Sequence, residues 1–148
     1  MIEVEILGAR LIPDDGPGLS ELRRLCVLAT AAVGVGDGHL AIEFVEAERI
    51  TELNSEHLGK PAPTDVLSFP IDGVAVAGGV PRELGDVVIC PEHTTDLREA
   101  VVHGVLHLLE MDHEADAGEM LTLQAELLSQ KAVHPGDGED VELQSAGP

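Results

Sequence analysis

Three of the seven histidines in the chain lie close together, at positions 103, 107 and 113. His103 and His107 are four residues apart, so a helix would place them one turn apart on the same face. Their neighbours are apolar on nearly every side, which predicts a buried helix. Two buried imidazoles need polar partners, because an unpaired buried polar group costs about 1–3 kcal/mol. A single divalent ion would satisfy both, and His113 follows far enough along the chain to turn back and supply a third nitrogen.

Zinc is the metal that this pattern favours. Catalytic zinc is typically held by three protein ligands, with a fourth position open for water, and neutral imidazole is a preferred ligand. We therefore predict one Zn²⁺ per chain, bound by His103, His107 and His113. The alternative is that His103 and His107 are core histidines bonded to carbonyl groups and His113 is unrelated to them. Asp112 has two interpretations, either orienting a zinc ligand or capping the helix that follows.

Length and composition indicate one cytoplasmic domain. The 148 residues can form a core of Leu, Val, Ile and Ala, since the chain has only two Phe and no Trp or Tyr. We expect residues 1–133 to form this domain and residues 134–148, rich in Gly, Pro and acids, to be a disordered tail. No apolar run reaches the ~20 residues of a membrane span, and no signal-type segment is present. Cys26 and Cys90 form no CxxC motif and are expected to be reduced.

The charge balance disfavours a nucleic-acid partner. Eight Lys and Arg face 28 Asp and Glu, which gives a net charge of −20. Phosphate binding normally leaves a basic footprint on a protein. If the protein handles RNA, contact must depend on a small local patch, on the metal, or on a partner.

Hydrophobic periodicity predicts a mixture of strands and helices. Ser20 is the expected cap of the first helix, and Gly59 is the expected end of the second. The predicted strands cover residues 2–7, 40–45, 65–69 and 84–90. The predicted helices run from Ser20 to the glycines at 34, 36 and 38, then over 46–58, 95–110 and 114–131, with a loop of low information at 72–83.

Three segments resemble the bacterial YbeY family. Residues 103–113, HGVLHLLEMDH, are similar to its HGxLHLxGxDH signature. Leu53-Asn54 followed by PTDVLSFP at 63–70 resembles its LN…PTDVLSFP segment, and LGDVVI at 84–89 resembles its LGDIVI strand. The three matches occur in the family's order across roughly residues 53–113, which is much more specific than one motif.

The resemblance implies both a fold and a function. The fold would be α+β, a single domain with a small four-stranded mixed sheet packed with helices and a buried metal-binding helix near the C-terminus. The function would be that of a zinc-dependent, single-strand-specific endoribonuclease in ribosomal RNA maturation and ribosome quality control. RNA precursors would be the substrates, and the ribosomal small subunit or an assembly factor a possible partner. The ligand role falls on His103, His107 and His113.

Two positions depart from the family pattern. Glu110 stands where the family usually has Gly, and its carboxylate either lies near the metal or points to solvent. Leu58 stands where many members carry an arginine. Since Lys60 and Arg82 are the only bases in the 53–97 region, Lys60 is the predicted replacement cation for the phosphate. Asp65 and Asp86 begin predicted strands, where turn or strand-end roles are favoured over a place in the site.

Two rival functions follow from the same residues. The spacing of the three histidines equals that of the metzincin proteases, HExxHxxGxxH, but their general base is a Glu where this chain has Gly104. The other rival is a ribosome-assembly factor in which zinc is only structural. The acidic composition and the absent arginine favour that interpretation, and the open position of a three-histidine site opposes it.

Overall fold

A computed structural model describes residues 1–71, 83–109 and 118–129. The strands are β1 (Ile2–Leu7), β2 (Gly38–Phe44), β3 (Val66–Pro70) and β4 (Glu83–Ile89). The helices are α1 (Leu19–Ala32), α2 (Ala47–Leu58), α3 (Leu97–Leu108) and α4 (Glu119–Ser129), with short 3-10 turns at Ala9–Leu11 and Pro91–His93. The predicted 134–148 tail and most of the 72–83 loop lie outside the described residues.

The four strands form one mixed sheet in the order β1-β2-β4-β3. The pairs β1–β2 and β2–β4 are parallel, and β3 is antiparallel to β4 at the edge. Parallel neighbours require crossovers, and helices α1 and α2 lie on the connections between them. The prediction of an α+β domain with a small four-stranded mixed sheet is confirmed.

Alternation along the strands divides the core between the two faces of the sheet. In β4, Val87 and Ile89 belong to the larger apolar cluster, which α1, α3 and α4 complete. Val88, between them, belongs to a smaller cluster, together with Leu67 of β3 and Ile50 of α2. Helix α2 therefore covers one face of the sheet, and the helix with the paired histidines covers the other.

Strand β4 contains an irregularity that the sequence pattern did not indicate. His39 of β2 pairs with Glu83, whereas the next residue, Leu40, pairs with Gly85, so β4 carries one extra residue. Gly85 has φ +134°, and a Cβ there would lie 2.2 Å from the carbonyl oxygen of Phe69. Only glycine, which has no Cβ, fits where β4 lies this close to the backbone of β3.

The element boundaries among the described residues agree closely with the predictions, except at the start of α1. The predicted bounds of the last helix, 114 and 131, lie outside the described residues. Gly18, not Ser20, is the N-cap, and no side chain caps the helix. The amide of Leu22 donates to the carbonyl of Gly18, so Ser20 already lies inside the first helical turn and is not the cap. Gly59 ends α2 in the left-handed conformation, as predicted, with φ 69°. Gly38, expected to help end α1, is the first residue of β2.

Candidate metal and catalytic site

The site is built on helix α3, whose start is fixed by a side-chain cap. The Asp96 carboxylate accepts from the amides of Arg98 and Glu99, at 3.0 and 3.2 Å. This satisfies donors that the first turn of a helix leaves without intrahelical partners. The apolar residues of α3 then pack on α1, α4 and the sheet. The buried helix predicted over 95–110 is confirmed as Leu97–Leu108.

His103 and His107 point toward each other from successive turns of α3. Their Nε2 atoms are 3.1 Å apart, and their ring centroids are 4.6 Å apart at an interplanar angle of 69°. Both side chains are half-buried. The predicted one-turn spacing therefore brings two ring nitrogens to a single point at the edge of the core.

The donor arrangement fits a tetrahedral metal ion. Two nitrogens bound to one zinc at about 2.05 Å are separated by roughly 3.3 Å in tetrahedral geometry. The 3.1 Å separation of the two Nε2 atoms is close to that value. Within residues 1–71, 83–109 and 118–129, no group of three or more His, Cys, Asp or Glu side chains is placed to hold a metal. The third predicted ligand, His113, lies outside those residues, as do Asp112 and Glu110.

The other nitrogen of His103 contacts helix α4. His103 Nδ1 lies 2.8 Å from Oε1 of Gln124, a side chain that is only 8% exposed. Sequence reasoning singled out the apolar residues of this helix and missed Gln124. The position of Gln124 in the sequence could have indicated it. Gln124 falls at helical spacing between Met120 and Leu127, which are buried, and a buried polar side chain needs a hydrogen-bond partner.

Helix α3 approaches the sheet closely at Gly104, the residue after the first histidine. A Cβ at this position would lie 2.4 Å from Val87 Cγ1 and 3.0 Å from Val66 Cγ2. The Gly104 carbonyl also accepts a 2.8 Å hydrogen bond from the hydroxyl of Ser68. Position 104 therefore faces the strands and not the paired imidazoles.

The structure does not bring the predicted cation into contact with the histidines. Lys60 is exposed and lies two residues beyond the end of α2, the helix that covers the opposite face of the sheet. Its ammonium group makes no salt bridge within the part of the chain that the structure describes. Leu58 is 58% exposed in the last turn of the same helix. Arg82, the other base of this region, lies outside the described residues.

The two aspartates predicted at strand starts, Asp65 and Asp86, lie in different settings. The Asp65 carboxylate accepts from the amide of Val66 at 2.8 Å, which is a turn role at the entry to β3. Asp86 is exposed within β4. The placement of Asp65 agrees with the turn role that the sequence favoured, whereas Asp86 lies in the middle of β4 and not at its end.

Comparison with known proteins finds one family model and several relatives that are similar to this chain in sequence. The family model described as endoribonuclease YbeY matches residues 21–132. The endoribonuclease YbeY of Rubrobacter xylanophilus is 40% identical, covering 82% of this chain and 86% of that protein. That of Micrococcus luteus is 41% identical, covering 69% and 76% respectively.

Two further proteins resemble the chain over most of its length. The endoribonuclease YbeY of Bacillus cytotoxicus is 36% identical, covering 72% of this chain and 82% of that protein. A solution structure of the Thermotoga maritima protein TM1509 has 26% identity and a TM-score of 0.49, covering 84% of this chain and 86% of that chain. The chain belongs to the endoribonuclease YbeY family, and the resemblance read from its motifs is confirmed. None of the helices among the described residues has both the length and the hydrophobicity of a membrane span.

Proposed function

We propose that this protein is a metal-dependent endoribonuclease that hydrolyses phosphodiester bonds of single-stranded RNA during ribosomal RNA maturation and ribosome quality control. His103, His107 and His113 would hold one Zn²⁺. The observation that carries the proposal is the convergence of two imidazole nitrogens at 3.1 Å, on a helix within the segment that the endoribonuclease family model matches.

In the proposed reaction the ion would supply the Lewis acid, and residues of the chain would hold it in position. A Zn²⁺ ion held by three imidazoles would supply Lewis-acid chemistry for phosphodiester hydrolysis. His103 and His107 would fix the position of the ion, because both stand on a helix that is capped at its start and tied to β3 at Gly104. Asp112 would orient His113 or cap the next helix.

Lys60 is the proposed phosphate contact. Lysine side chains bind the phosphates along an RNA backbone electrostatically, and such a contact strengthens binding without adjoining the reacting phosphorus. Lys60 is exposed and makes no salt bridge among the described residues, so its ammonium group is available to a phosphate. We expect Lys60→Ala to raise KM for RNA more than it lowers kcat, with Lys60→Arg retaining function.

A metalloprotease is disfavoured by the surroundings of Gly104. A protease of this spacing needs a general base directly after the first histidine. Here that position faces β3 and β4, and even a Cβ would lie 2.4 Å from Val87. A carboxylate could not be placed beside the ion from this position.

The deciding experiment offers the purified protein a structured RNA that contains single-stranded loops, and casein, each with and without a chelator. RNA cleavage that is lost on chelation and restored by Zn²⁺ supports the nuclease, whereas casein cleavage supports the protease. If chelation lowers the melting temperature and neither substrate is cut, zinc is structural and the assembly-factor hypothesis is correct. That hypothesis draws on the net charge of −20 and on leucine at position 58.

Metal content tests the ligand set directly. We expect about one zinc per chain in the wild type and a steep drop in His107→Ala. His93→Ala is the matched control, because His93 is an exposed histidine on the 3-10 turn at Pro91–His93. Equal zinc content in His107→Ala and wild type would overturn the assignment.

A ribosomal partner in the cytoplasm would supply the positive charge that this chain lacks. With 28 acidic and 8 basic residues, the protein would itself repel RNA at long range. We propose that the small ribosomal subunit or an assembly factor presents the RNA. Cofractionation of the protein with small-subunit precursors, at low and high salt, tests this proposal.

A further inference from the structure

The buried amide of Gln124 lies against the ring nitrogen of His103 that faces away from His107. Gln124 belongs to α4 and is 8% exposed, between Met120 and Leu127, which are 0% and 4% exposed. A polar side chain in such surroundings needs a hydrogen bond. Its Oε1 finds one at 2.8 Å, on Nδ1 of a histidine 21 positions earlier in the chain.

The chemistry of this contact determines where the imidazole proton resides. An amide carbonyl oxygen has no proton to donate, so it can only accept, and the contact requires a proton on Nδ1 of His103. A neutral imidazole carries one proton, so Nε2 is then the unprotonated nitrogen that bears the lone pair. Nε2 is the atom that lies 3.1 Å from Nε2 of His107, at the point where the proposed ion would sit.

We propose that Gln124 is a positioning residue that holds His103 in the Nδ1–H tautomer and in the ring orientation that presents the Nε2 lone pair to a divalent metal. This inference rests on the proposed metal site. Metal-bound histidines generally donate their second N–H to an oxygen acceptor, and loss of that acceptor typically weakens metal binding by 10–100-fold. Helix α4 would thus belong to the site, because its Gln124 accepts a hydrogen bond directly from a proposed ligand.

Three variants separate positioning from packing. Gln124→Met has a similar length and removes the acceptor. Gln124→Glu keeps an oxygen acceptor in the same place. Leu127→Ala is the control, because it leaves a cavity one turn later in α4 while the Gln124 acceptor stays in place, and so it lowers stability through packing.

The first readout is the tautomer of His103, from the ¹⁵N chemical shifts of its ring in the metal-free protein. We expect Nδ1–H in the wild type, in Gln124→Glu and in Leu127→Ala, and a shift of the population toward Nε2–H in Gln124→Met. The second readout is Zn²⁺ affinity by competition with a chelating dye. We expect the Kd to rise about 10–100-fold in Gln124→Met and to stay near the wild-type value in Gln124→Glu and Leu127→Ala.

Either of two results would overturn the inference. One is a wild-type His103 protonated at Nε2. The other is a Gln124→Met variant whose ring tautomer and Zn²⁺ affinity match those of the wild type or move no further than those of Leu127→Ala. A wild type that takes up no Zn²⁺ would instead overturn the proposed function, and it would be recognised separately because the tautomer is read without metal.

Discussion

The hydroxyl of Ser68 in β3 donates a 2.8 Å hydrogen bond to the backbone carbonyl of Gly104 in α3. This bond joins the edge strand of the sheet to the residue that directly follows His103. The helix that carries the histidine pair is therefore hydrogen-bonded to the PTDVLSFP segment, 36 positions earlier in the chain.

We expect Ser68→Ala to lower the free energy of unfolding by about 1 kcal/mol, the typical net contribution of one hydrogen bond. The measurement is urea denaturation. Ser129→Ala is the control, because the Ser129 hydroxyl also donates to a carbonyl, that of Glu126, but in an exposed position. Its effect should stay below ~0.5 kcal/mol. Equal losses in the two variants would show that the Ser68 bond has no particular role.

Gly104 is the point at which α3 lies closest to the sheet, so we expect Gly104→Ala to destabilise the protein. Alanine is favoured over glycine in a helix by up to ~1 kcal/mol. The new methyl group would nevertheless lie 2.4 Å from Val87 Cγ1, on a fully buried, β-branched side chain that cannot easily rotate away. Overpacking of this kind typically costs about 1–3 kcal/mol. The net loss should be about 1–2 kcal/mol in urea denaturation.

Two further variants test that explanation. Gly36→Ala places a methyl group in open space, so its stability should stay within ~0.5 kcal/mol of the wild type. Gly104→Ala should cost less free energy of unfolding in a Val87→Ala background than in the wild type, because Val87→Ala removes the methyl group with which the new side chain clashes. If Gly104→Ala proves as stable as Gly36→Ala, the helix can shift away from the sheet without penalty.

The parts of the fold that the sequence predicted are those with local signals. Alternation of apolar residues indicated β1. The end of α2 at Gly59 was predicted because glycine adopts the left-handed conformation at little energetic cost. The one-turn spacing of His103 and His107 was sufficient to predict that their rings share a face. In each case neighbours in the chain determine the geometry.

The missed features depend on partners that are distant in the chain. The extra residue in β4 is a feature of its pairing with β2, and Gly85 beside it lies close to the carbonyl of Phe69 in β3, so both depend on contacts between strands. Gln124 was overlooked because its partner, His103, is 21 residues away on another helix. The assignment of α2 to the face of the sheet opposite α3 likewise depends on how the whole sheet is ordered, and no local pattern encodes it.

The buried thiol of Cys26 makes stability depend on pH in the alkaline range. Burial raises the pKa of Cys26 from 9.0 to about 12, and Arg23 opposes the shift only in part. The folded protein therefore keeps a proton that the unfolded chain releases. The contribution to stability is fully present below about pH 9 and is lost as the pH rises toward 12, with a slope of up to ~1.4 kcal/mol per pH unit.

Cys26→Ala isolates this effect. Its baseline stability should fall slightly, but the difference in unfolding free energy between about pH 8 and about pH 10.5 should be smaller than in the wild type. The chain has no tyrosine, so few other groups titrate in this range. Parallel pH profiles for the two proteins would show that ionisation of Cys26 does not contribute.

Replacing Leu58 by a cationic residue should raise kcat/KM of the proposed nuclease. Its side chain is 58% exposed in the last turn of α2, so Leu58→Arg should cost little stability. The new guanidinium would stand two positions from Lys60, in a chain whose net charge is −20. One charge-assisted hydrogen bond to phosphate is worth about 1.5 kcal/mol, or roughly a tenfold gain in kcat/KM for RNA cleavage.

The control for Leu58→Arg is Val27→Arg, which adds the same charge at a residue of α1 that is 45% exposed. A gain confined to Leu58→Arg, accompanied by a steeper dependence of KM on salt, would place a phosphate beside the end of α2. An equal gain in both variants would mean that the reduced net charge alone speeds association with RNA. No gain in either would remove the end of α2 from the RNA-binding surface, and Lys60 with it.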